Sequence, residues 1–274
     1  MAVKLARPAV LNAGLLKSFG RNSRTPQTSL IDPLTPAGVQ PDGQSSGWNL
    51  AFSDEFAAGS LDRSKWDPWY PDTTFWNATV PGGHLTNTNE PQAYDPSALT
   101  FDGSAMSMTL SNQSIVSGIA YKSGMVTSYP SFNTTYGYFE ARMQLPRVRG
   151  AWPAFWMDRT DQTWPPEIDW MEAWGTAGIV GQNYHSNGSG SFGTGQGSAT
   201  TLTGYNTFGG LWEPGHLRWF VNGVQVYDLV NASVNNQPMY MICNLAGDKD
   251  NVPFTSDLPM TAKVDYIRAW KAAA

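Results

Sequence analysis

The stretch Leu217-Arg-Trp-Phe-Val221, Asn222-Gly223, Val224-Gln-Val-Tyr-Asp-Leu229 places two segments of alternating character on either side of an Asn-Gly pair. Asn-Gly accepts the positive-φ geometry of a tight hairpin turn, and a period of two is typical of a half-buried strand. Similar short strands are indicated over residues 105–111, 136–145, 239–245 and 262–270. No segment after residue 20 keeps a 3.6-residue period. We therefore predict an all-β fold in which two antiparallel sheets pack face to face.

The composition favours the same class. The 274 residues include 27 Gly and 19 Pro, and only 14% are charged, which suits short strands joined by turns. At this length, 41% hydrophobic residues allow one sandwich domain with a sizeable core. No apolar run approaches the ~18 residues that a membrane span requires. A formal net charge of -5 gives no general attraction to phosphate backbones, so neither a nucleic-acid partner nor a membrane span is expected.

The two ends of the chain differ in charge. Residues 1–31 carry five basic and no acidic residues, which leaves 12 basic and 22 acidic residues in the remainder. Residues 22–47 are rich in Ser, Thr, Pro, Gly and Gln, a composition typical of a linker. We therefore expect a basic arm and linker over 1–46 and one domain over 47–274. The arm lacks the long apolar region of a secretory signal peptide, and is interpreted either as a flexible tail or as an anchor to a larger assembly.

Cysteine and histidine give little sign of metal or redox chemistry. Cys243 lies in an apolar segment and is the single cysteine, so we expect a buried core thiol without an intrachain disulfide. The three histidines, His84, His185 and His216, lack the ligand spacing of a zinc site. We expect His84 and His216 to be surface residues.

Three carboxylates are concentrated on one predicted buried strand, Glu167-Ile-Asp-Trp-Met-Glu172. Ionised carboxylates are costly to bury near one another, so such a run favours a role in a mechanism. On a regular strand Glu167 and Asp169 share one face while Glu172 points to the other. A β-bulge around Trp170 and Met171 would return Glu172 to that face, and bulges are common beside active sites. From these residues alone, the bulged triad and the unbulged pair both stay open.

The same six residues resemble the E-x-D-x-x-E signature of glycoside hydrolase family 16, which includes laminarinases, agarases, carrageenases and related endo-glycanases. The resemblance covers about residues 47–271. It implies the bulge, a β-jelly roll whose concave sheet forms an open substrate cleft, and hydrolysis with retention of anomeric configuration. Its main matches are Trp48-Asn-Leu-Ala-Phe-Ser-Asp-Glu-Phe56, Tyr136-Gly-Tyr-Phe-Glu-Ala-Arg142, Gly150-Ala-Trp-Pro-Ala-Phe-Trp-Met157 and Val264-Asp-Tyr-Ile-Arg268.

The resemblance implies a role for each carboxylate. Glu167 is similar to the nucleophile, Glu172 to the general acid/base, and Asp169 to the assisting carboxylate between them. A retaining glycosidase needs one ionised carboxylate and one protonated carboxylic acid about 5 to 5.5 Å apart. Asp169 disfavours ionisation of Glu172 by its charge and can orient Glu167 through a shared hydrogen bond. Retaining hydrolysis by these two carboxyl groups is expected to require no metal or other cofactor.

Aromatic residues are expected to bind the substrate, because the apolar faces of sugar rings pack on aromatic rings. Trp152, Trp156 and Trp174 flank the carboxylate strand in sequence, and a core role is the alternative for each. The aromatic loop 66–76 either lines one end of the cleft or forms a small satellite core. By resemblance, the polar substrate-binding residues are Arg142 and His185 near the cleaved bond, with Asn89 or Asn87 and Glu90 near the non-reducing side.

Two further expectations concern calcium and the substrate. Many members of the family carry a calcium ion on the convex side, and the matching oxygens here belong to Glu55, Gly103 (its carbonyl) and Asp265. Plain ion pairs are the alternative. The loop 247–250 departs from the Gly-Gly that the family often has there, and loops that line a cleft select the polymer. The sugar and its linkage therefore stay open.

The predicted function is that of a retaining endo-glycosidase that hydrolyses a β-linked polysaccharide of the β-glucan or galactan type. We expect it to act outside the cell or on a particle such as a virion. The alternative is a non-enzymatic carbohydrate-binding or structural component of a larger assembly, attached through residues 1–46.

Overall fold

The computed structural model describes residues 29–71, 90–174, 180–186, 191–196, 202–248 and 250–273. No helix in these ranges has the length and apolar character needed to cross a membrane. The two short 3-10 helices are Pro96–Ala98 and Thr255–Asp257. The strands, in chain order, are β1 (Trp48–Asp54), β2 (Gln92–Tyr94), β3 (Leu99–Phe101), β4 (Met106–Leu110), β5 (Tyr121–Ser123), β6 (Met125–Thr127), β7 (Gly137–Gln144), β8 (Ala151–Arg159), β9 (Glu167–Ala173), β10 (Val180–His185), β11 (Ser191–Gln196), β12 (Tyr205–Glu213), β13 (His216–Val221), β14 (Val224–Val230), β15 (Met239–Gly247) and β16 (Met260–Ala272).

Two antiparallel sheets form the sandwich. The eight-stranded sheet has the order β14-β13-β12-β7-β16-β4-β3, with β1 also paired to β16. The six-stranded sheet has the order β11-β10-β9-β8-β15-β6, and β2 and β5 form a separate parallel pair. The predicted hairpin is present, with Asn222 and Gly223 at φ values of 49° and 73° between β13 and β14. The predicted all-β jelly-roll sandwich is therefore confirmed.

The hydrophobic core lies between the two sheets. Alternation along β7 sends Phe139, Ala141 and Met143 into this core, where they join Ile168 of the six-stranded sheet. Cys243 is fully buried in the same cluster, as predicted, and burial raises the pKa of its thiol far above the usual range. Each sheet therefore has one face in the core and one face free for other contacts.

Residues 29–46 pack on the eight-stranded sheet, which differs from the predicted linker. Ser53 N–H donates to the Leu30 carbonyl at 3.0 Å, and the Trp270 indole donates to the Val39 carbonyl at 3.0 Å. Asp42 N–H donates to a carboxylate of β7 at 2.8 Å. Main-chain hydrogen bonds therefore hold this segment on the sheet, a feature that composition does not indicate, and the domain boundary near residue 46 stays a prediction. Residues 1–28 of the predicted arm lie outside the described ranges.

Candidate active site

The carboxylate strand β9 contains the predicted bulge. The consecutive residues Phe155 and Trp156 of β8 pair with two β9 residues that are two positions apart, so Trp170 is the extra residue. The pairing with β10 on the other side shifts at the same place. One extra residue shifts the alternation of the residues that follow it, so that Glu172 turns to the same face as Glu167 and Asp169. The residues that share the outward face of the six-stranded sheet, here called the carboxylate face, include Glu167, Asp169 and Glu172.

The eight-stranded sheet holds this bulge in place. The Trp170 side chain is 1% exposed and stacks on Phe139 with ring centroids 5.7 Å apart. Its ring occupies the space left by Gly210, where a Cβ would lie 1.9 Å from a ring atom. The Trp219 indole donates to the backbone carbonyl of Asp169 at 2.8 Å. Trp170 therefore packs in the core, as expected, and it fixes the register that aligns the carboxylates.

Glu167 and Asp169 lie beside a histidine. His185 Nε2 is 3.3 Å from Asp169 Oδ2 and 3.5 Å from Glu167 Oε1. The Trp164 indole donates to the other oxygen of Glu167 at 2.8 Å and stands 60% exposed. Sequence reasoning placed His185 here but gave no role to Trp164, which lies just before β9. These two side chains bracket the Glu167 carboxylate and leave it 18% exposed.

Glu172 is held by two neutral donors. The Trp152 indole donates to Oε1 at 3.0 Å, and the Asn183 amide donates to Oε2 at 2.5 Å. Trp152 and Trp174 contact each other with ring centroids 5.9 Å apart, and Trp174 is 39% exposed. Asn183 was not predicted, although its place two residues before His185 puts both on one face of β10.

The electrostatics of the three carboxyl groups favour retention of a proton. Burial raises the pKa of Glu167, and the charge of Asp169 raises it further. Burial followed by the charge of Glu172 raises the pKa of Asp169, and burial raises that of Glu172. No Lys or Arg forms an ion pair with the three in the described part of the chain. Adjacent carboxyl groups of this kind tend to divide into protonated and ionised partners.

A fourth buried carboxylate, Asp158, lies directly across from Glu167 on β8. It is 1% exposed, accepts a hydrogen bond from Tyr70, and burial raises its pKa to about 6. Tyr70 also stacks on Trp156, with ring centroids 6.2 Å apart. The aromatic loop therefore divides, because Trp66 is fully buried in the core while Tyr70 joins the carboxylate face. Alternation from Trp152 and Trp156 could have identified Asp158.

A chain of hydrogen bonds links the predicted residues Trp156 and Glu90. The Trp156 indole donates to Asn244 Oδ1 at 2.8 Å, and Asn244 Nδ2 donates to the Tyr94 hydroxyl at 2.7 Å. Tyr94 in turn donates to Glu90 Oε2 at 2.7 Å. Glu90 is therefore coupled to the tryptophan beside the carboxylate strand. The predicted residues Asn89 and Asn87 lie outside the described ranges.

Arg142 does not lie at this site, so its prediction as a residue near the cleaved bond is wrong. It belongs to β7 of the eight-stranded sheet, where the odd-numbered neighbours Ala141 and Met143 face the core. Arg142 consequently points to the outer face, pairs with Asp265 at 2.5 Å and lies over the Tyr205 ring. The short distance along the chain between Arg142 and the carboxylate strand β9 does not indicate which sheet β7 joins.

The arrangement of the three predicted calcium ligands does not fit a cation. Glu55 receives two hydrogen bonds from Arg268, at 2.9 and 2.7 Å, and Asp265 pairs with Arg142. Both carboxylates line one outer pocket of about 470 Å³, but Gly103 is absent from its lining. Arginines already pair with both carboxylates, which favours the ion-pair alternative for these side chains.

The sequence model of the glycosyl hydrolases family 16 matches residues 86–268 of this chain. The chain belongs to glycosyl hydrolase family 16. The match includes the bulged strand β9 and its neighbours β8 and β10, and thus the three carboxylates.

The chain is also similar to two relatives of known sequence and to one solved structure. It is 36% identical over 245 residues to endo-1,3-1,4-beta-glycanase EglC and 33% identical over 248 residues to endo-1,3-1,4-beta-glycanase ExsH, both from Rhizobium meliloti (strain 1021). Each alignment covers 81% of this chain and 52% of the relative, so the chain spans about half the length of these relatives. The laminarinase from Rhodothermus marinus superposes with a TM-score of 0.67 at 26% identity, covering 83% of this chain and 98% of that one.

Proposed function

We propose that this family 16 protein is a retaining endo-glycosidase that hydrolyses a β-linked polysaccharide, with a β-glucan as the first substrate to test. One observation carries the proposal: the Trp170 bulge brings Glu167, Asp169 and Glu172 to one face, with different partners for each glutamate. Two carboxyl groups in different environments are what double displacement at a sugar carbon requires. The names of the relatives, endo-1,3-1,4-beta-glycanase and laminarinase, support a β-glucan substrate.

In the first step, ionised Glu167 attacks the anomeric carbon while Glu172 gives its proton to the departing glycosidic oxygen. The indole of Trp164 fixes one oxygen of Glu167, which orients the carboxylate for attack. Trp152 and Asn183 hold Glu172 in the complementary position. The products of this step are a glycosyl ester of Glu167, a shortened polysaccharide and an ionised Glu172.

In the second step, Glu172 takes a proton from water as the water oxygen attacks the anomeric carbon, and the bond between that carbon and Glu167 breaks, which releases the sugar and restores ionised Glu167. Ester formation removes the charge of Glu167, and removing a nearby negative charge lowers the pKa of Glu172. The same group therefore serves first as an acid and then as a base. Asp169 lies between the two glutamates on β9; its charge raises the pKa of Glu167, and the charge of Glu172 raises the pKa of Asp169.

Exposed tryptophans support an endo-acting enzyme. Trp164 stands beside Glu167, whereas Trp152 and Trp174 stand beside Glu172, so aromatic surface flanks the pair on both sides. Stacking on several rings along one face suits a polymer better than a terminal sugar. A cleft open at both ends along this face would let the enzyme cut within the chain.

The experiment compares wild type with Glu167→Gln on laminarin, lichenan, agarose and galactan. We expect wild type to release reducing ends from laminarin or lichenan, and the first product seen by ¹H NMR to be the β-anomer. The folded variant should release reducing ends at least about 10⁴-fold more slowly, as expected when a nucleophile is lost. An α-anomer as first product would contradict retention. Equal rates for both proteins on all four polymers would contradict the enzyme assignment.

The predicted location and assembly stay predictions. Residues 1–28 lie outside the described ranges, and no observation among the described residues favours the non-enzymatic alternative. Attachment through residues 1–46 to a particle such as a virion, and action outside the cell, are therefore proposals that fractionation of a tagged full-length chain can test. Co-sedimentation with particles would support attachment, and a protein wholly free in the medium would contradict it.

A further inference from the structure

We propose that Glu167, Asp169 and His185 together bind a divalent transition metal ion of the Zn²⁺ type, and that this ion competes with the polysaccharide. The inference rests on the proposed function in its second part, because it concerns regulation of the same site. Its first part, metal binding, does not depend on hydrolysis.

The three donor atoms have spacings that suit zinc. One oxygen from each carboxylate and one imidazole nitrogen all lie within 4.8 Å of one another, and this is the single such group in the described part of the chain. Zinc forms bonds of about 2.0–2.2 Å to nitrogen and oxygen in tetrahedral sites, which corresponds to ligand separations of about 3.3–3.5 Å. His185 Nε2 lies 3.3 Å from Asp169 Oδ2 and 3.5 Å from Glu167 Oε1. Two of the three distances between the donor atoms therefore already match those of a tetrahedral zinc site.

Asp169 supplies an independent sign that a cation belongs here. The residue is 1% exposed, and its Oδ2 accepts no hydrogen bond within the described ranges, although His185 Nε2 lies 3.3 Å away. A buried carboxylate oxygen without a donor is costly, and a metal ion satisfies it directly. This oxygen faces His185 Nε2, so the unmet acceptor points to where the ion would lie.

The donor set selects the class of metal. One imidazole and two carboxylates, with a fourth position left for water, match the open zinc sites of proteins. Ca²⁺ takes six to eight oxygen ligands and Mg²⁺ retains most of its water, so neither suits three donors that include a nitrogen. Transition metals bind imidazole well, and Zn²⁺ has no redox chemistry to complicate the measurement.

Bound zinc would oppose catalysis at Glu167. The attacking oxygen becomes a metal ligand, so its lone pair is no longer available to the sugar carbon. A polysaccharide seated over Glu167 would in turn exclude the ion. Mutually exclusive binding of this kind raises the apparent KM and leaves kcat unchanged.

The chain offers a matched control at His216. This residue also lies between two carboxylates, with Nε2 at 2.5 Å from Asp228 and Nδ1 at 3.8 Å from Glu213. Its two partners are 47% and 43% exposed and face different ring nitrogens, so they cannot converge on one ion. His216→Asn therefore removes a carboxylate-flanked histidine without touching the proposed site.

Isothermal titration of ZnCl₂ into the full chain tests the binding. Wild type, His216→Asn and His84→Asn should bind one Zn²⁺ with equal affinity, and Glu172→Gln should retain it. His185→Asn and Asp169→Asn, both near-isosteric, should lose more than about tenfold in affinity, with folding checked by circular dichroism. Equal affinity in all variants, a loss confined to the controls, or no binding by wild type would overturn the proposal.

Steady-state hydrolysis of laminarin tests the competition. Zn²⁺ should raise the apparent KM of wild type without lowering kcat, EDTA should restore the original KM, and CaCl₂ or MgCl₂ should have no effect. A fall in kcat at unchanged KM would overturn the competitive part. If no hydrolysis occurs under any condition, the proposed function fails, whereas the titration still decides the metal site.

Discussion

The two outward faces of the sandwich treat their carboxylates in opposite ways. On the outer face of the eight-stranded sheet, Arg268 donates two hydrogen bonds to Glu55, and Arg142 pairs with Asp265. On the carboxylate face, His185 is the only basic residue that pairs with the triad in the described part of the chain. Neutralised carboxylates stabilise a fold but have little chemistry left. Carboxylates left together without arginine keep raised pKa values and can exchange protons.

Both faces are built with the same backbone device. In β9 the extra residue, Trp170, turns into the core and lets Glu172 rejoin the face of Glu167. In β16 the pairing with β7 shifts at Asp265, so that Asp265 and Tyr266 line the outer pocket. A bulge therefore decides which side chains meet, and the residue types that meet decide whether the result is an ion-pair cluster or a reactive site.

The largest effect is expected from Glu172→Gln on the carboxylate face. Loss of the proton donor should lower kcat/KM by about 10²–10⁴-fold on the polysaccharide that wild type hydrolyses. An aryl β-glycoside with a dinitrophenolate leaving group needs no proton, so its first step should lose far less. Stopped-flow release of dinitrophenolate measures this difference.

Glu55→Gln on the outer face is the matched control for that experiment. The folded variant should retain kcat/KM within about twofold, since Glu55 follows β1 of the other sheet and its partner is Arg268, although the loss of this ion pair lowers stability. A comparable loss in both variants would show that the contrast between the two faces is not functional.

The second effect concerns stability. Arg268 is 9% exposed and Glu55 15%, so removing one partner leaves a largely buried charge unpaired. Arg268→Met should lower the free energy of unfolding by about 3–5 kcal/mol in urea titrations. The double variant Arg268→Met with Glu55→Gln should recover part of this loss, because no charge is then left alone. A double variant as unstable as the single one would mean that packing over Tyr266 dominates.

Local patterns predicted the elements of this fold but not all of their neighbours. The Asn222-Gly223 turn and the strand periods identified the hairpin and the all-β class because both depend on residues close in sequence. Alternation alone left the triad undecided, since it cannot show where an extra residue is inserted. The resemblance to the E-x-D-x-x-E signature predicted the bulge. The residues that hold Trp170 in place, Gly210 and Trp219, lie on the other sheet.

The errors have the same origin. Arg142 was placed by its distance along the chain from β9, whereas its position depends on the pairing of β7 with β12 and β16. Asp158, Trp164 and Asn183 carry no motif of their own and become partners of the triad only through cross-strand register. Residues 29–46 were expected to be a linker because Pro, Gly and Ser dominate, although their backbone hydrogen bonds hold them on the sheet.

A third effect concerns the pH dependence of stability at a buried carboxyl group of the outer face. Burial raises the pKa of Glu140, on the outer face, from 4.5 to about 7. The folded protein then binds this proton more tightly than the unfolded chain does. Protonated Glu140 therefore contributes to the free energy of unfolding fully below about pH 4.5, and this contribution is lost as the pH rises to about 7. Glu140→Gln keeps an acceptor for Asp42 N–H and does not titrate.

Urea unfolding at pH 5 and pH 7.5 measures this contribution as wild type minus Glu140→Gln. Relative to the variant, wild type should lose up to about 3 kcal/mol of unfolding free energy between pH 5 and pH 7.5. Using the difference removes groups that titrate equally in both proteins. A constant difference between the two pH values would mean that Glu140 is ionised in the fold at pH 5.

The smallest effect tests the packing of residues 29–46 on the outer face. The Thr207 hydroxyl donates to Asp42 Oδ2 at 2.5 Å, and Asp42 is exposed, so its carboxylate stays hydrated when the donor is removed. Thr207→Val should therefore cost only about 1 kcal/mol in unfolding free energy. Because the lost bond ties this segment to the sheet, amide hydrogen exchange within 29–46 should quicken. Thr261→Val, which removes the Thr109 contact on the same sheet, should leave that exchange unchanged. Equal exchange in both variants would mean that the segment is held by its backbone contacts alone.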